Sequence, residues 1–127
     1  VYRATLAEHG HDPASLKVNV NVPVYVTEDR SKARGGFEET FNNYLGVIRS
    51  NSSQATSRLA NMTYDQVYDE YGVIGDPEQC IAKLRSLHEM YQNQEFMCWF
   101  NTGGMLPHGE VEKSMRLFAE EVMPHFK

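Results

Sequence analysis

The residues best suited to meet a ligand fall in two short stretches. The first is Trp99-Phe100-Asn101-Thr102-Gly103-Gly104 with Pro107-His108 just beyond it. A glycine pair permits positive φ or a close backbone approach to a ligand. An aromatic side chain can wall a pocket, and an imidazole titrates near neutrality, so His108 could give up a proton. The second stretch is Asn19 and Asn21, which alternate with valines and therefore share one face of an extended segment. Each group has a second reading. Asn19 and Asn21 could make only structural hydrogen bonds, because buried polar groups must be paired whether or not a ligand is present. Trp99 to Gly104 could be core filler and a plain strand-to-helix turn.

Other chemistries are excluded by residue pattern. His9 and His11 form a pair with no further ligands nearby, whereas zinc needs three or four, so no metal site is expected. Glu120-Glu121 reads as a solvated helix face, His88 as a partly buried structural histidine and Cys98 as a buried, inert thiol. Asp76 caps a helix and would repel a phosphate at that helix start. There is no Ser-His-Asp pattern, P-loop or G-x-G-x-x-G. The net charge of −5 and the lack of a basic run argue against nucleic acid. No apolar stretch approaches the roughly 18 residues of a membrane span. Cys80 and Cys98 suggest no disulfide framework, so a reduced, cytoplasmic setting is expected, and the two Asn-x-Ser/Thr sequons are read as chance. The opening Val1-Tyr2-Arg3, in a helical pattern without Met, reads as a fragment start.

These residues need elements to position them. Tyr2 to His9 reads as a helix end stopped by Gly10. Leu16 to Val26 alternates with period two, which predicts a strand, with Pro23 near its end or at a break in pairing. Asp29 caps a helix over about 30–50 with Ala33, Phe37, Phe41, Leu45 and Ile48 inward. Residues 51–61 read as loop, and Thr63 with Gln66 as the capping box of a short helix. Val73-Ile74 is a short strand. Asp76-Pro77-Glu78-Gln79 starts a helix whose buried stripe is Ile81, Leu84, Leu87, His88 and Tyr91. Phe96 to Phe100 is a strand, and a last helix runs from about 109 to 124 with Val111, Met115, Phe118 and Val122 on one face. Strands alternating with helices predict βαβ units and a parallel sheet.

Three segments, in order, resemble the luciferase-like, flavin-dependent monooxygenases. Tyr71 to Ile81 resembles their (I/V)-G-(T/S/D)-P-E-x-(V/C) segment, Trp99 to His108 their last strand and following loop, and Ser114 to Phe126 their closing helix. Val22 to Val26 is similar to their sixth strand. The resemblance implies an α/β fold, the C-terminal part of a (β/α)8 TIM barrel with about three parallel strands and four principal helices on the outer side. A whole barrel is about 250 residues, so residues 1–127 would be one partial domain. It implies a parent enzyme using reduced FMN, or the deazaflavin F420, with O2 on a small organic substrate. Most flavin contacts would lie in upstream strands, leaving this chain inactive alone and without bound cofactor. Open sheet edges predict a homo-oligomer. Two rival readings are a non-catalytic α/β binding or assembly module and a family member that has lost its flavin.

Overall fold

The computed structural model describes residues 2–51 and 57–126. Helix α1, Tyr2–Glu8, ends at Gly10, which takes φ 77°. Strand β1 is Asn19–Val26, three residues shorter at its start than the alternation suggests. The cause is its partner: β3, Glu95–Phe100, begins opposite Asn19. Val18 carbonyl still accepts from the Gln94 and Glu95 amides, but Leu16 lies beyond any partner and is exposed.

Helix α2, Arg30–Ser50, starts where Asp29 accepts from the Ser31 amide. Helix α3, Tyr64–Glu70, carries the expected Thr63/Gln66 capping box, and α4, Pro77–Tyr91, the Asp76/Gln79 box with Pro at its first turn. Between them lies β2, Val73–Gly75. The loop expected over 51–61 falls partly outside the described residues, and Leu59–Asn61 forms one tight helical turn. Helix α5, His108–Leu117, is shorter than expected. It widens over Phe118–Val122 and tightens over Met123–Phe126, where Pro124 has no N–H to continue an α-helix.

The three strands are parallel, in the order β2-β1-β3. The chain therefore steps from β1 to β2 in one direction and from β2 past β1 to β3 in the other. Parallel crossovers are nearly always right-handed, so reversing direction moves the connecting helix to the opposite face. The three parallel strands are as expected, but helices cover both faces of the sheet rather than the outer side alone. Helices α2 and α3 bury Phe37, Phe41, Leu45 and Val67 against Tyr25 and Ile74. Helix α4 and the end of α5 bury Leu84, Leu87 and Val122 against Val22, Val24 and Val73. Each such side chain contributes roughly 2–3 kcal/mol of transfer free energy.

Two predicted stripes shift as a result. On α4 the buried residues are Cys80, Leu84 and Leu87, spaced i, i+4, i+7, while His88 and Tyr91 turn outward. On α5 Met115 is exposed, because the helix meets the sheet through small, buried Ser114, whose Oγ accepts from the Val26 amide at 2.8 Å. Pro23 falls mid-strand, one residue before β2 joins at Val24, so its missing N–H lies at a break in pairing on that side.

Candidate functional site

Helix α2 covers only the C-terminal half of its face of the sheet. Tyr25 beneath it is buried; Asn19 and Asn21, further back on the same face, are exposed. At the boundary lies a cleft of about 150 Å³. Strand β1 supplies Asn21, Val22 and Pro23, and β3 supplies Trp99, directly in register with Pro23. Phe41 and Tyr44 of α2 form the opposite wall, and Leu59, Tyr71 and Thr102 close the ends. Tyr44 meets Trp99 edge to face, ring centroids 6.4 Å apart at 75°.

The lining contains no Asp, Glu, Lys, Arg or His. Burial, and then the neighbouring Tyr44 and Glu70, push the Tyr71 phenol up to about 12. The cleft can hold a small uncharged group, but offers no general base, nucleophile or metal ligand. Among the described residues no group of three or more His, Cys, Asp or Glu could hold a metal ion.

The residues singled out from sequence scatter around this cleft. Asn21 and Trp99 line it. Asn19 sits at the far end of β1 opposite Glu95, whose carboxyl it helps hold below its usual range, after the larger effect of Lys17. Asn101 adopts φ 53° and its Oδ1 accepts from the Leu106 amide at 2.9 Å, which closes the β3–α5 loop on itself. Gly103, at φ 100°, does make a close backbone approach, but to the Thr40 carbonyl of α2 rather than to open space. Thr40 Oγ1 donates to the Thr102 carbonyl and accepts from the Met105 amide, and Asn43 donates to the Gly103 carbonyl, so the loop is clasped to α2. Gly104 has φ 74° and open space around it, and His108 is the exposed first residue of α5; neither lines the cleft. Thr102 belongs to the stretch singled out and Phe41 was expected only as a core residue, whereas Tyr44, Leu59 and Tyr71 were not foreseen. The aromatic spacing Phe37, Phe41, Tyr44 was visible, but not which strand it would face.

A second hollow of about 320 Å³ lies beyond the end of β1, between Thr27-Glu28 and the Glu110, Lys113, Arg116 and Glu120 side chains. The N-termini of α2 and α4 at the same end of the sheet are filled by their own capping carboxylates, Asp29 and Asp76. Arg30 ties the two loops together, donating to Asp76 at 2.6 Å and Glu78 at 3.0 Å.

The fold is thus a parallel α/β sheet whose apolar cleft is walled by a strand face and a crossover helix. Residues 1–94 match the sequence model of the luciferase-like monooxygenases, and the chain belongs to that family. It is 26% identical over 148 aligned residues to the alkanal monooxygenase alpha chain of Photobacterium leiognathi, an alignment that takes in all of this chain and 41% of that protein. The crystal structure of monooxygenase RslO1 from Streptomyces bottropensis superposes with a TM-score of 0.63 at 20% identity, over 99% of this chain and 36% of that one, which shows a shared fold. The chain thus spans about two fifths or less of the length of these relatives. The family match ends at residue 94, so for β3 and α5 the likeness rests on the other two comparisons. Among the described residues no helix is long and apolar enough to cross a membrane.

Proposed function

We propose that this chain forms part of the substrate wall of a flavin-dependent monooxygenase, which uses reduced flavin and O2 on a small organic substrate in the cytoplasm. The observation that carries the reading is the family match over residues 1–94, joined to a cleft that is apolar and free of ionised groups. The apolar cleft does not by itself fit a flavin. A cleft of about 150 Å³ is below the ~300 Å³ at which sites for ligands of that size begin. The two helix starts that could take its phosphate are closed by Asp29 and Asp76. In this reading FMN, or the deazaflavin, is held by other parts of the protein, and the 127-residue chain alone turns nothing over.

What this chain supplies is position. Asn21 and Trp99 face the substrate, with Asn19 at the lower rim. Asn101, Gly103 and Gly104 fix the loop above it, and His108 stands beyond that loop, outside the cleft. The test is the visible spectrum and oxygen consumption of the full-length protein. A flavin band, with O2 consumed when reduced flavin is added, is the expected result. A colourless protein that binds neither reduced FMN nor the deazaflavin would sink the proposal, and leave a binding module with the family fold.

A further inference from the structure

The cleft beside Trp99 specifies its occupant more narrowly than a small organic substrate. Its volume, about 150 Å³, matches cavities of about 150 Å³ that take up one benzene ring. Phe41, Tyr44, Tyr71 and Trp99 give it aromatic walls, and Tyr44 and Trp99 already meet edge to face in its lining. A flat ring gains from such surroundings beyond the area it buries. No lining residue is an acid or a base, so a charged group would enter without a counter-ion. The polar groups of the Asn21, Tyr44 and Tyr71 side chains make no hydrogen bond among the described residues. They leave donors and acceptors for one hydroxyl or carbonyl. Trp99 remains 42% exposed, so the cleft is open to entry.

We propose that the cleft between β1, β3 and α2 is a binding site for a single neutral aromatic ring bearing one hydroxyl or carbonyl, a phenol or an aryl ketone. This deepens the substrate-wall reading and rests on it for its place in catalysis, but binding itself needs no flavin.

Trp99 is the chain's one tryptophan, so its indole N–H gives a single, unambiguous NMR signal inside the site. The experiment titrates the 127-residue chain with phenol, cyclohexanol and benzoate. Phenol is expected to move the indole signal in a saturable way, with half-saturation on the order of 1 mM for so small a ligand. Cyclohexanol should bind several-fold more weakly, and benzoate at least about tenfold more weakly because its charge finds no partner. Leu59→Phe, which fills the cleft, should abolish the shift, and Tyr71→Phe should weaken phenol several-fold while leaving toluene unchanged. Cross-relaxation between phenol ring protons and the indole covers the case in which Leu59→Phe fails to fold. No saturable shift with phenol, or benzoate binding as well as phenol, overturns the proposal. Phenol binding by this chain alongside a flavin-free full-length protein would keep the site and remove the monooxygenase reading; the reverse pair of results would do the opposite.

Discussion

Replacing Gly103 by Ala forces the β3–α5 loop off helix α2. A Cβ at Gly103 would be driven into the Thr40 carbonyl oxygen and stand 2.7 Å from its carbonyl carbon, both backbone atoms of a helix that cannot yield. The loop must withdraw by about an ångström or more, enough to break the Thr40–Thr102, Asn43–Gly103 and Met105–Thr40 hydrogen bonds together. Each is worth about 1 kcal/mol. The φ of 100°, outside the range of L-residues, adds about 1–3 kcal/mol of strain if the loop holds its place. Whichever way the cost is divided, about 3–4 kcal/mol is expected, a large share of the roughly 5–15 kcal/mol that holds a domain together. Gly104→Ala is the internal control. It shares the positive φ, 74°, but has nothing within 4 Å, so only about 1–2 kcal/mol of conformational strain applies. Urea unfolding followed by circular dichroism separates the two through their midpoints. Equal losses for both variants, or a Gly103→Ala loss near 1 kcal/mol, would show that the clasp is not a contact that holds the loop.

Asp76→Ala removes the cap of α4 and the Arg30 partner together, at a cost of about 1 kcal/mol at pH 7 from the cap alone. The Arg30 hydrogen bond, and then the Gln79 amide, hold the Asp76 carboxyl below its usual range. Its contribution is therefore present above the unfolded value of about 3.9 and lost as pH falls below it; urea midpoints at pH 7 and pH 3 should differ for wild type more than for the variant. Burial pushes the Cys98 thiol up to about 11 and the Cys80 thiol up to about 12, with Asp76 adding to the latter. Iodoacetamide at pH 8 should then label both slowly in the folded chain, half-buried Cys98 before buried Cys80, and both rapidly in urea; fast labelling of Cys80 without denaturant contradicts the packing described. Strands β2 and β3 are sheet edges, and Met97 and Trp99 are exposed on β3. Size-exclusion with light scattering should show the chain self-associating as its concentration rises, and a monomer throughout would count against it.

Much of the local structure was legible because it is written in short-range chemistry. Asp29, the Thr63/Gln66 pair and Asp76-Pro77-Gln79 set three helix starts within a few residues, and the helices begin there. The start of β1 was misplaced because a strand begins where its partner does, and Glu95 lies 76 positions away from Asn19. The alternation showed which residues share a face, but not that Pro23 and Tyr25 would be covered while Asn19 and Asn21 were not; that depends on where α2 lies across the sheet. The cleft was half visible for the same reason. Asn21 and Trp99 stand on strands whose facing is periodic, whereas Tyr44, Leu59 and Tyr71 arrive from a helix and its connections, whose direction follows from the strand order.

That strand order also sets a timetable. Strand β1 has no neighbour in the chain to pair with: its partners are residues 73–75 and 95–100. No hairpin can shelter it, and both ladders close long loops before they gain anything in return. During synthesis or refolding the run of valines in β1 waits without a partner until residues 73–75 are available, and stays open on its other side until residues 95–100 are. The central strand of the finished sheet is thus the most vulnerable segment of the unfinished one. Yield on refolding should fall with protein concentration sooner than native stability alone would predict.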